Sequence, residues 1–335
     1  MTSGFTSDIS DKVSALHKKI YTIDTHCDTP MLFGRGVNIG KKNENSKVDV
    51  IKMQEGMLDA EFMVAYLPQK ERTVEASQRA VKKAVAIIDK IKWQIEENKD
   101  IVVQGFTVAD LKKNKAENKK TIFIGIENGY AIGKDIKNVE RFAKMGVKYI
   151  TLCHNGDNDI CDSAIGNHEH DGLSEFGKKV VSEMNRLHIM VDISHTSEKT
   201  SFDALKASKY PVIASHSSAK ALCAHPRNVS DQLMKAIAEK GGVIQVCFYS
   251  GFLKSKGKAS LKDAVDHIDY VVKTVGVDYV GIGTDFDGGG GLTDMKTASE
   301  FPKITEELIR RGYSDKDIAK IWGGNIMRVM AAVEK

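Results

Sequence analysis

At 335 residues the chain can bury a large core and has a length ordinary for one barrel with insertions. Hydrophobic residues make up 41% and charged residues 28%, near globular averages, which argues against a disordered chain. With 49 basic and 45 acidic residues the formal net charge is +4, so composition gives no electrostatic case for nucleic acid or a membrane surface.

Residues 1–18 read as a polar lead-in with a short helix, without an apolar run of signal-peptide length. Beyond them, β-like runs alternate with amphipathic helical stretches almost to the end. Strands are predicted near 21–27, 62–67, 121–126, 148–153, 189–194, 212–215, 242–247 and 278–283, each rich in Val, Ile, Phe or Tyr. The run at 101–106 is an extra strand candidate. Helical periods cover 72–98, 135–145, 174–187, 198–207, 230–240, 259–275 and 303–311. Ser174 is a predicted N-cap. The tail 314–334 reads as two short helices, capped by Ser314 and broken at Gly323–Gly324. The lysines of 112–120 read as a solvated helix or loop. About eight strands alternating with helices predict an α/β fold, a (β/α)8 TIM barrel, with residues 1–335 forming one domain. An open doubly wound sheet is the alternative, but the first strand is not followed by a GxGxxG turn.

Cys27, Cys153, Cys161, Cys223 and Cys247 are odd in number and contain no CxxC pair. A disulfide framework or zinc knuckle is not expected, and free thiols fit a reducing compartment. No run approaches membrane-spanning length, so a cytoplasmic protein is expected.

The chemistry lies at the strand ends. His26 and Asp28 close the first strand, Glu127 the third, His195 and His216 two later ones, and Asp285 the eighth. A parallel barrel gathers these ends at one rim. In an extended strand His26 and Asp28 share a face, with Asp24 deeper on that face as a supporting or structural acid and Cys27 on the other. An HxD pair alone is equally compatible with a satisfied polar pair. Glu127 after an apolar strand is costly to bury unless paired or metal-bound. Imidazole is a common zinc ligand, and two histidines at equivalent strand ends add to the pattern. Four terminal ligands plus one shared carboxylate would give each of two metals three protein ligands, with coordination left open. Asp285 is then placed to act on water, and Asp287 has the same parity.

The motifs THCD (25–28), GIENG (125–129), TLCHN (151–155), GLSEFGKKVVSEMNRL (172–187), VDISHTS (191–197), ASHSSAKALCAHPRNVSD (214–231) and GIGTDFDGG (281–289) occur together and in this order. They resemble the membrane (renal) dipeptidase family, peptidase family M19, from about residue 20 to 329. The resemblance implies two Zn2+ ions per chain. His26, Asp28 and Glu127 would hold one, and Glu127, His195 and His216 the other, with Glu127 bridging. It implies substrate contacts for His154 and Arg227, with Asn228 beside Arg227, and proton handling by Asp285. The arginine suits a two-pronged pair with a substrate carboxylate. The implied activity is hydrolysis of dipeptides, tolerating a D-residue at the C-terminal position. The implied partner is a small peptide substrate, and the resemblance admits a homodimer. Cys153 stands where the family pattern has Thr. His168 and His170, in the insert after His154, read as a surface loop. Two other classes stay open: a different binuclear amidohydrolase acting on an acylated amino acid or lactone, and a non-catalytic ligand-binding barrel.

Overall fold

The computed structural model describes residues 3–335, with side chains described from Ser10 onward. After a lead-in helix, Ser3–Lys19, nine parallel strands follow. They are β1 (Ile23–Cys27), β2 (Ala60–Tyr66), β3 (Val102–Gln104), β4 (Lys120–Glu127), β5 (Val147–Thr151), β6 (Met190–Asp192), β7 (Ile213–Ala214), β8 (Val243–Val246) and β9 (Val280–Ile282). Eight of them run β1-β2-β4-β5-β6-β7-β8-β9. The ring closes just above the strands, where Asp285 N–H donates to His26 O (3.0 Å) and Asp28 N–H donates to Phe286 O (2.8 Å). Helices on the connections complete a (β/α)8 barrel. The extra run near 101–106 is β3. It pairs with Lys120–Ile122 of β4, below the stretch where β5 pairs with Ile124–Glu127, so it is not one of the eight staves.

The two mouths of the barrel differ. At the amino end, Ile23, Phe62, Phe123, Tyr149, Met190, Ile213 and Val243 pack inside the ring, and Ile326, Met327, Met330 and Val333 of the last helix cover them. Phe62 stacks on Phe123 and Tyr149 at 4.9 and 5.4 Å. The outer layer of helices buries the other faces of the strands in a second apolar cluster.

Local signals account for many boundaries. Ser174 caps the helix Glu175–Arg186 by accepting from Gly177 N–H, and Ser314 forms a capping box with Asp317. The tail differs from expectation. It does not break at the glycine pair but widens into a π turn over Lys320–Gly324 between Asp315–Ala319 and Asn325–Val333. A Cβ at Gly323 would fall 2.3 Å from Tyr21 O, so the glycine serves close packing against the entry to β1. Three helices, Val50–Glu55, Val108–Ala116 and Ser250–Leu253, carry no strong period in the sequence.

Strict alternation in β1 is also overturned. Its pairing with β2 shifts between Asp24 and Cys27, the signature of a bulge. Ile23 packs inside the barrel and Cys27 in the outer core, although they differ by an even number of residues. Thr25 reaches across the interior to Ser215 O (2.8 Å) and Ile282 O (3.1 Å). Asp24 therefore does not share the face of His26. It accepts from Thr284 N–H (2.8 Å) and Thr284 Oγ1 (2.5 Å), locking β1 to the segment after β9.

Candidate metal centre and active site

Glu127, the last residue of β4, stands at the centre of the carboxyl-end mouth. The Nε2 atoms of His195, His26 and His216 lie 3.0, 3.6 and 3.6 Å from its carboxylate oxygens, and His154 Nε2 lies at 3.8 Å. His26 Nε2 is 3.5 Å from Asp28 Oδ2. His195 and His216 bring their Nε2 atoms within 2.9 Å of each other. Three overlapping groups could each hold a cation: His26, Glu127 and His216; Glu127, His154 and His195; and His26, Asp28 and Asp285.

Three of the four imidazoles are oriented from behind. His26 Nδ1 donates to Tyr149 Oη (2.8 Å), whose hydroxyl in turn donates to Thr25 O (3.0 Å). His195 Nδ1 is paired with Asn155 Oδ1 (3.0 Å). His216 Nδ1 is paired with Ser215 Oγ (2.8 Å), which donates to Asp192 Oδ2 (2.6 Å). Asp192 also accepts from Thr151 Oγ1 and from the backbone of Ser194 and Ser215. With each Nδ1 occupied, Nε2 is the free donor atom toward Glu127, as in metal sites whose outer partners set the tautomer. Among the described residues no hydrogen bond orients the His154 ring. It is the most open of the four, packed edge-on to Tyr66 at 4.9 Å.

The electrostatics fit a cation. Burial pushes His195 and His216 well below the ordinary imidazole range, reinforced by Arg227 for His195 and by His26 for His216. Neutral imidazole is the ligating form. Burial also opposes charge on His26, but Glu127 and Asp28 outweigh it and hold its pKa well above the usual value. Burial likewise opposes charge on Glu127, and His26 outweighs it and holds the carboxyl well below its usual range. A divalent ion in that place would take over from the proton on His26. His26 Nε2 and Asp28 Oδ1 are buried without a hydrogen-bond partner. Such orphaned atoms are costly unless something coordinates them. This donor set of imidazole nitrogens and carboxylate oxygens suits zinc.

Asp285 joins the cluster beside Asp28. Burial pushes its carboxyl well above the usual range, and the Asp28 charge adds to that; Asp28 itself is pushed up to about 6, by burial and then by Glu127. A Cβ at Gly288 would lie 2.0 Å from Asp28 Oδ2 and 2.4 Å from Asp285 Oδ1, so only glycine fits against this acid pair. Asp287 stands apart: it accepts from Thr29 Oγ1 (2.7 Å) and Lys47 N–H (2.9 Å) and holds the rim loop. His195 and Asp285 both take left-handed backbone, φ 69° and 59°, strain of a kind that gathers at functional sites.

These residues line a cavity of about 470 Å3 with Asp28, Tyr66, Glu127, His154, Asn155, His195, Arg227 and Asp285 on its wall. Arg227 is buried there. Its Nη atoms donate to Ser217 Oγ (3.3 Å) and His216 O (3.2 Å), Nε has no partner, and Phe252 lies over the guanidinium at 5.1 Å. A buried guanidinium with an unspent donor beside a cavity is suited to a carboxylate. Asn228 does not reach the cavity. Its side chain donates to Cys223 O and Phe252 O and accepts from Ser218 N–H, so it builds the loop that carries Arg227. His168 and His170 lie outside the cluster, and His170 is bonded to Asn158 O. Tyr149, Asn155 and Asp192 were not singled out from sequence. An acid in the apolar run MVDIS was a signal for Asp192; an interior tyrosine carried none.

The fold and the chain as a whole have well-defined relatives. The family described as membrane dipeptidase (peptidase family M19) matches residues 10–335. Dipeptidase ataJ of Aspergillus terreus is 33% identical over 94% of this chain and 85% of its own length. The crystal structure of the probable dipeptidase PvdM from Pseudomonas aeruginosa superposes with a TM-score of 0.93 at 28% identity, covering 98% of this chain and 99% of that one. A metallopeptidase from Rhodobacter sphaeroides, solved with a phosphinate mimic of the dipeptide L-Ala-D-Ala, superposes with a TM-score of 0.86 at 22% identity, over 94% of this chain and 99% of that one. Among the described residues no helix is long and apolar enough to cross a membrane. The chain belongs to the membrane dipeptidase family, peptidase family M19, and with it to the metal-dependent dipeptidases.

Proposed function

We propose that the protein is a zinc dipeptidase that cleaves dipeptides bearing a free C-terminal carboxylate and tolerates a D-residue at that end. The observation that carries this reading is the convergence of three back-oriented imidazoles on buried Glu127, in the same cavity as buried Arg227. His26, Asp28 and Glu127 would hold one zinc ion, and Glu127, His195 and His216 a second. Zinc so held supplies Lewis acidity and lowers the pKa of water. Arg227 holds the substrate carboxylate and fixes which end of the dipeptide faces the acids. His154, open to the cavity, contacts the substrate near the scissile carbonyl. Asp285 takes the proton from the attacking water and returns it to the leaving amine at its carboxylate oxygen. The D-residue tolerance draws support from the Rhodobacter sphaeroides relative, whose bound mimic is of L-Ala-D-Ala. Five free, buried cysteines support a cytoplasmic location.

The test is metal analysis of the purified protein together with hydrolysis of L-Ala-L-Ala and L-Ala-D-Ala. About two zinc ions per chain, cleavage of both dipeptides and loss of cleavage on chelation are expected. Full activity in protein stripped of metal would overturn the reading.

A further inference from the structure

The cavity is polar at its floor and apolar at its mouth. Among the described residues seven large apolar side chains are exposed, and three of them, Met31, Ile165 and Tyr249, line this one cavity. They come from the loops after β1, β5 and β8. Apolar surface gathered around a binding cavity marks a place where an apolar partner group is buried.

The loops fix where that group lies. Ile165 is seated beside His195, because the adjacent Ala164 N–H donates to His195 O (2.8 Å). Tyr249 packs edge-on to Phe252 at 4.8 Å, and Phe252 covers the Arg227 guanidinium at 5.1 Å. Arg227 follows β7, so in the order of the ring it lies between the Ile165 loop and the Tyr249 loop. A side chain next to a carboxylate held by Arg227 rises between Ile165 and Tyr249. Met31, beyond Asp28, stands across the mouth.

We infer that the site selects dipeptides whose C-terminal residue carries a bulky apolar side chain, gripped between Ile165 and Tyr249; this rests on the dipeptidase reading above. The probes are Ala-Ala, Ala-Leu, Ala-Phe and Ala-Asp, with the last residue L or D, given to the full-length zinc-loaded protein. The kcat/KM for Leu or Phe is expected to exceed that for Ala by about tenfold, the scale of discrimination of an apolar pocket. Ile165→Ser is expected to shrink that ratio by about fivefold. Trp93→Ser, an exposed apolar residue outside the cavity, leaves the ratio unchanged. Ile165→Val, a milder change on the same half-exposed loop, is expected to shrink it less. As a measurement that needs no variant, free leucine should inhibit more strongly than free alanine. Cleavage of Ala-Ala as fast as Ala-Leu, an unmoved ratio in both Ile165 variants, or equal inhibition by the two amino acids would overturn the inference and leave the dipeptidase reading standing. No cleavage of any dipeptide overturns both.

Discussion

The two ends of the barrel bury side chains under opposite rules. At the amino end Phe62, Phe123 and Tyr149 stack beneath Met327 and Met330, apolar atoms against apolar atoms. At the carboxyl end the buried groups are His26, Asp28, Glu127, His195, His216 and Arg227, with His26 Nε2, Asp28 Oδ1 and Arg227 Nε left without partners. His195 and Asp285 at that end adopt left-handed backbone, at a cost of about 1–2 kcal/mol each. The contrast teaches that burial alone does not mark a site; several buried ligand-type atoms turned toward one another do. His267 makes the same point. It is buried, but both of its ring nitrogens are bound to protein, to Ala219 N–H (2.9 Å) and to Leu253 O (3.0 Å).

Substitutions at the two ends should separate activity from stability. Asp285→Asn is expected to lower kcat by about a thousandfold while zinc content stays at the wild-type level. Asp287→Asn, whose carboxylate binds Thr29 and Lys47, should change kcat by less than about tenfold; the reverse result would move the proton carrier to Asp287. Phe62→Ala, at the opposite end, is expected to cost about 3–4 kcal/mol in urea unfolding, with kcat/KM of the folded protein near wild type.

The third probe is pH. Burial lowers the His17 pKa to about 4, whereas an unfolded histidine titrates near 6.5. Between these values the unfolded chain binds more protons, so stability rises with pH there; the contribution is full above 6.5 and is lost as pH falls toward 4. About 2–3 kcal/mol should disappear between pH 7 and 4.5 in wild type, and His17→Gln should flatten that part of the profile. The smallest effect joins the two ends. Tyr149 belongs to the apolar stack but its hydroxyl orients His26, so Tyr149→Phe should keep stability and weaken zinc affinity about tenfold, read by chelator competition. Unchanged affinity would show that the His26 ring is held by packing alone.

Much of this was legible in the sequence because parallel strands are buried on both faces and read as apolar runs. A charged or imidazole residue at the end of such a run stands out, which is how Glu127, His195 and His216 are found. Residues that act from behind do not stand out. Tyr149 looks like any strand tyrosine, and Asn155 is one polar residue in a loop. The bulge in β1 is invisible to a period-2 reading, so Asp24 falls on the wrong face. Asn228 sits next to Arg227 in sequence, yet its side chain turns to Cys223 and Phe252 rather than to the cavity.

The sequence by itself determined the alternation of strands and helices, the acids and histidines at the strand ends and the family motifs, because these depend on residue type and short spacing. Tertiary structure decided which of the two late aspartates meets Asp28, which nitrogen of each histidine is free, and that apolar side chains from three separate loops share one mouth. Those facts depend on the closure of the ring and on one extra residue in β1, and neither leaves a periodic mark in the chain.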